Sequence, residues 1–428
     1  MAQDGILNQT FDDSNRFRYL RSLFAIFFIS PVFALFISLK NGINRYSRWM
    51  MYLMFFVLGY SLDTDPRTGS DVIRIVEAFL HICEIRDKPN VSFLDKITID
   101  ESKDLELGLG TIAYISSLFT QDPHVFIGIL GFIYGVFYVQ VFLFFLNLIM
   151  EQNQFYWSII LSFAFIHSPY QFQAFRFYSG AIIFVWLFIK IFMEGNKNFI
   201  LNYILLIAIC FLHNAHFVLA GLVVFRRVVP INLLKFFWLV YLSFFIISHT
   251  VGFDLGAFSE FLPESFKDRT DAYSSEGKED AIQGPELSWF LVYAYTINEW
   301  FFFIMNNLNF YLLVRMKKEK ELPEYVGFFA LLISFSSLLL GTEGYRLHVI
   351  ANHIMFIIFF TVHNNEYAFD LFKKMESKLR YIILFYVFIL FRRTTDFISL
   401  YVFILNPLLF YAIENNYTIA KFYTDVFK

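Results

Sequence analysis

Residues 124–150 read HVFIGILGFIYGVFYVQVFLFFLNLIM, without one Asp, Glu, Lys or Arg. A membrane-spanning helix needs about 20 mostly apolar residues, and this stretch exceeds that. A half-buried soluble helix keeps a polar face, and none is present here. Working outward, further apolar runs occupy 19–39, 49–62, 155–167, 178–193, 199–213, 233–249, 288–314, 325–341, 347–363, 381–391 and 397–413. Two pieces, 107–119 and 215–225, are too short to span and read as re-entrant or interfacial. Composition agrees, with 57% hydrophobic, 17% charged and 21% aromatic residues, including 60 Phe. These values exclude a soluble enzyme, a disordered chain and a disulfide scaffold. The expected fold is all-α and polytopic, with about 10–12 transmembrane spans. It forms one integral membrane domain over residues 1–428, with long extracytoplasmic loops at 63–106 and 250–287.

Lys and Arg in short connectors mark the cytoplasmic side. Four clusters qualify: Lys40, Arg45 and Arg48; Arg226, Arg227 and Lys235; Arg315, Lys317, Lys318 and Lys320; Lys373, Lys374, Lys378 and Arg380. All four lie inside only if 107–119 does not cross. Acids outnumber bases in 250–287, which suits an external loop. The first residues are polar and acidic, unlike a signal peptide, so 19–39 reads as a retained first span. The two cysteines are Cys83, in a polar loop, and Cys210, in an apolar run, a weak pair for a disulfide. Gly128, Gly131 and Gly135 form a small-residue face that packs helices rather than binding phosphate. No internal repeat is visible, which weighs against a transporter.

Polar residues at span ends carry the candidate chemistry. Asp71, after Gly69 and Ser70, reads as a helix N-cap or as a carboxylate held at the membrane surface. Arg176 opens a span on the expected outer side, where it either snorkels to headgroups or holds a diphosphate bidentately. His213 and His216 share the stretch His-Asn-Ala-His. No third ligand with matching spacing accompanies them, so metal is not expected. His213 suits proton transfer or hydroxyl binding, and His216 packing, capping or substrate contact. Glu343, Tyr345 and Arg346 crowd an expected tight outer turn over Gly341–Arg346, as interfacial anchors or as site residues. Asn298 and Glu299 sit inside the run 288–314, where an ionised group costs roughly 2.5 kcal/mol or more. Glu299 therefore needs a cavity or a cationic partner.

Five short features together resemble the EpsG family of bacterial polysaccharide polymerases, which is related in role to the Wzy O-antigen polymerases. They are Gly-Ser-Asp71 after the second span, Leu105-Glu106-Leu-Gly-Leu-Gly110, Arg176 opening a span, Phe211-Leu-His213-Asn-Ala, and Arg346 at a late outer turn. The resemblance covers roughly residues 20–410. It implies a multi-pass protein of the bacterial cytoplasmic membrane whose site faces the periplasm or exterior. The implied reaction is cofactor-free, metal-independent glycosyl transfer. A chain on polyprenyl diphosphate would be donated to an incoming lipid-linked repeat unit, building exopolysaccharide, capsule or O-antigen. Arg176 and Arg346 would bind the diphosphate. The base would come from Asp71, His213, Glu299 or Glu343, with His216, Tyr345 and Asn298 contacting substrate. The implied partners are the lipid-linked oligosaccharide, the bilayer and a chain-length regulator, with no nucleic acid. An O-antigen ligase uses the same donor. The competing class is a lipid-linked oligosaccharide flippase or polysaccharide transporter.

Overall fold

The computed structural model describes residues 13–40, 44–62, 71–97, 107–151, 157–166, 174–195, 197–213, 215–225, 233–250, 289–316, 322–338 and 342–362, with isolated positions between 374 and 388. Among these the protein is all helical, with no strand. The helices are α1 (Asp13–Ile29), α2 (Pro31–Lys40), α3 (Arg45–Tyr60), α4 (Asp71–Ile85), α5 (Phe93–Ile97), α6 (Leu107–Ser117), α7 (Pro123–Glu151), α8 (Trp157–Ile166), α9 (Phe175–Phe188), α10 (Phe199–Cys210), α11 (Ala215–Phe225), α12 (Leu234–Thr250), α13 (Trp289–Met316), α14 (Glu324–Leu338) and α15 (Thr342–Val362). Two stretches are long and apolar enough to cross a membrane, Pro123–Ile149 and Phe175–Met193. The expected runs 381–391 and 397–413 and the loop 250–287 lie outside the described residues.

Local chemistry explains the helix ends. Asp122 Oδ1 accepts from the His124 N–H at 2.9 Å, and Pro123 takes the first helical position of α7, where its missing N–H costs nothing. Asn44 and Ser47 form a reciprocal capping box at α3. The helix of α9 continues as a widened turn over Ile189–Met193, in which the Glu194 N–H donates to Ile189 O. Gly195, at φ +77°, then ends it.

Three sequence expectations change. The run 19–39 is not one helix: Pro31 cannot donate to the preceding turn, and Ser30 restarts the chain by accepting the Phe33 N–H. Cys83 lies on the helix α4 rather than in a loop, and burial pushes its thiol up while Arg86 pulls it down. The expected turn over Gly341–Arg346 is helical from Thr342 onward. Cys83 and Cys210 are both free thiols.

Packing centres on α7, α9 and α15. From Leu347 to Phe360 nearly every α15 side chain is buried, as befits a helix apolar on all sides. The pair α3 and α7 is glued by glycines. A Cβ on Gly59 would stand 2.5 Å from Ile127 O, and one on Gly131 would strike Phe55 O. Backbones approach this closely only where side chains are missing. On α10 the distribution is inside-out: Asn202 is 3% exposed, whereas Ile200 is 74% and Ile204 56% exposed.

Gly131→Ala should cost about 1–3 kcal/mol, because backbone rather than a movable side chain occupies the space. Gly221→Ala, with nothing within 4 Å of a new Cβ, should be neutral or stabilising. Thermal unfolding of both variants in detergent measures the contrast.

Candidate active site

The first turn of α9 and the turn joining α10 to α11 meet through His216. Its imidazole is fully buried and lies flat on Phe177, with centroids 5.3 Å apart and planes at 18°. Its Nε2 is 3.2 Å from Phe177 O, and since a carbonyl only accepts, Nε2 carries the proton. Gly180 makes room, because a Cβ there would collide with His216 Nε2. His213 stands edge-on to the same Phe177 ring at 5.6 Å. Arg176, half-buried, immediately precedes Phe177. The structure thus brings Arg176, His213 and His216 into one neighbourhood. His216 touches the backbone of α9 rather than open space, so it positions this turn.

The protonation of His213 follows from its cap. The Ala215 N–H donates to His213 Nδ1 at 3.1 Å, which puts the ring proton of the neutral form on Nε2. His213 therefore presents a donor, suited to binding an oxygen. To act as a base it would have to give up the start of α11. A third element closes on this turn: Gly108, in the first turn of α6, donates its N–H to Phe211 O at 2.9 Å.

Contacts fix how the helices align. Ile182 of α9 and His353 of α15 line one gap with Tyr138 and Ala164, too tight to admit water. Further along α9, Phe188 packs on Tyr325 and Phe328 of α14. Helices α14 and α15 pair as an antiparallel hairpin, with Ser336 Oγ 3.1 Å from His348 Nδ1, so Phe328 lies beside the later part of α15. Helices α9 and α15 consequently run the same way. Arg176 precedes Ile182 by six residues and Arg346 precedes His353 by seven. At 1.5 Å per residue they stand about 9 Å and about 10 Å beyond the gap, toward one end.

Four of the other candidates, Asn298, Glu299, Glu343 and Tyr345, lie on helix segments toward the same end. Phe237 O accepts from Ser334 Oγ and Tyr241 lies against His348, so α12 runs with α14. One turn later Phe245 meets Trp300, which directly follows Asn298 and Glu299 on α13. Tyr345 and Glu343 share the first turns of α15 with Arg346. Asp71 opens α4, whose Phe79 stacks on Phe126 near the start of α7 at 4.3 Å. The side chains of Asp71, Asn298, Glu299, Glu343, Tyr345 and Arg346 lie outside the described residues.

A polar network in the bundle escaped the sequence reading. Asn306 Nδ2 donates to Asn352 Oδ1 at 3.1 Å and reaches Tyr241 Oη at 3.3 Å, while Trp238 Nε1 donates to Asn307 Oδ1 at 2.7 Å. The signal was present as Asn residues inside apolar runs, which must find partners when buried. Among the described residues no three His, Cys, Asp or Glu side chains gather as a metal site. Comparison of the chain with protein-family models, curated proteins and solved structures finds no match.

Gly180→Ala should loosen the α9–α11 contact and lower the melting temperature by several degrees, about 1–3 kcal/mol of overpacking. Adding His216→Ala should recover part of that loss, because the colliding ring is gone. A double-mutant cycle on thermal unfolding reads the coupling.

Proposed function

We propose that the protein is a polytopic enzyme of the bacterial cytoplasmic membrane that polymerises polyprenyl-diphosphate-linked oligosaccharides on its outer face. The observation that carries this reading is the alignment of two arginines. Arg176 and Arg346 stand at similar depth, on neighbouring helices running the same way, at the end where the His213 turn lies. A polytopic membrane setting is supported by the buried Asn202 on α10 and Asn306 on α13, helices whose outer faces carry exposed Phe199, Ile200, Ile204, Trp300 and Ile304. Water would not tolerate that surface, and hydrocarbon selects it.

The chemistry follows from charge. As the glycosidic bond to the lipid diphosphate breaks, negative charge grows on the leaving oxygens. Guanidinium groups fixed beside them stabilise that charge where it develops. Arg offers planar paired donors and stays charged in an apolar setting. His213 donates from Nε2 to a sugar or phosphate oxygen, and a carboxylate among Asp71, Glu299 and Glu343 takes the acceptor hydroxyl proton. His216 and Gly180 hold the turn that carries Arg176. Tyr345 and Asn298 line the saccharide side.

Arg176→Ala or Arg346→Ala should abolish long polymer while single-repeat product persists at normal protein level. Lys at either position should restore only part of it, because the fork is lost. Polymer length on gels, with protein quantified in the membrane fraction, reads the result. A transporter would instead fail to deliver single repeats to the outer face.

A further inference from the structure

We infer that α5 and α6 form an interfacial wedge whose exposed Phe93, Leu94, Ile115, Leu118 and Phe119 insert into the headgroup–acyl boundary of the bilayer beside the candidate site. This inference rests on the membrane-crossing reading of α7 and not on the reaction. Phe119 is 81% exposed and Leu94 63%, an apolar cluster next to the start of α7. A short link joins α6 to Pro123, so Leu118 and Phe119 lie where a crossing helix leaves the membrane. Helix α7 is about 43 Å long at 1.5 Å per residue, against a hydrocarbon core of about 30 Å. Its ends therefore stand in the headgroup layers, and a neighbouring apolar cluster at that level meets lipid.

The wedge is built as one unit. Arg86 donates to Ser117 O at the end of α6, and Lys96 Nζ donates to Arg86 O at 2.5 Å. Phe93 packs edge-on against Tyr114 at 5.3 Å. Gly110 lets the backbone of α6 lie against Ile97 at the end of α5. On α4, Arg74, Glu77, His81 and Glu84 are exposed, in contrast to the apolar cluster on α5 and α6. At its far end α6 bonds Phe211 O through Gly108, so lipid contact at Phe119 is carried along one rigid helix to the His213 turn.

Site-directed spin labels test this in the full-length protein in liposomes, with Cys83 and Cys210 replaced by Ser. Labels at Phe119→Cys and Leu94→Cys should show several-fold higher ratios of oxygen to nickel-chelate accessibility than one at Glu84→Cys. A deeper lipid signal is expected at Ile204→Cys. Nickel access at 119 equal to that at 84, with 204 in lipid, overturns the wedge alone. So does exclusion of both reagents at 119, which would mean that protein covers the cluster. Nickel access at 204 as well overturns the membrane reading on which it rests.

Discussion

A single missing side chain governs the candidate site. Because position 180 is glycine, the imidazole of His216 can lie against α9 and reach the carbonyl of Phe177. That hydrogen bond contributes about 1 kcal/mol and the stacked ring about 0.5–1.5 kcal/mol more. Neither is large, but both act at one point where three chain segments meet. The bond holds the α10–α11 turn on α9. That turn fixes His213, and α6 grips the same turn from the other side. Arg176 precedes the clasped residue, so its backbone has little freedom to drift.

The polar groups follow a second constraint, imposed by apolar surroundings. Buried amides and imidazoles must pair within the bundle, since no solvent does it for them. Asn306, Asn352 and Tyr241 join α12, α13 and α15, and Ser336 ties α14 to His348. These bonds set how the helices slide past one another, and so which residues reach the common end. Ile182 and His353 share a gap, and Arg176 and Arg346 precede them by six and seven residues.

Much of this was legible in the linear chain. The charge-free run at 124–150 became α7, and the short pieces at 107–119 and 215–225 became α6 and α11. The glycine face at 128, 131 and 135 packs against α3, as small residues in apolar helices do. The break at Ser30–Pro31 was missed because hydropathy is uniform across it, though Ser before Pro is a helix-start signal. The helical start of α15 was mistaken for a turn because two glycines and polar residues cluster there. Arg176 and His213 were expected to share a site, but the contact that brings them near, Phe177 against His213, was not readable. The residues lie far apart in sequence, and their approach depends on tertiary packing at Gly180. The tautomer of His213 was equally hidden, since it follows from the bond that the Ala215 N–H donates to Nδ1.

The most direct test of the account is the distance between residues 176 and 346, seen from the exterior. Cysteines at both positions, in a chain with Cys83 and Cys210 replaced, are treated in intact cells with a membrane-impermeant bifunctional thiol reagent spanning about 10 Å, the usual separation of packed helices. The account predicts an intramolecular cross-link. Labelling of either cysteine only after the membrane is opened, or labelling of both with no link between them, would contradict it.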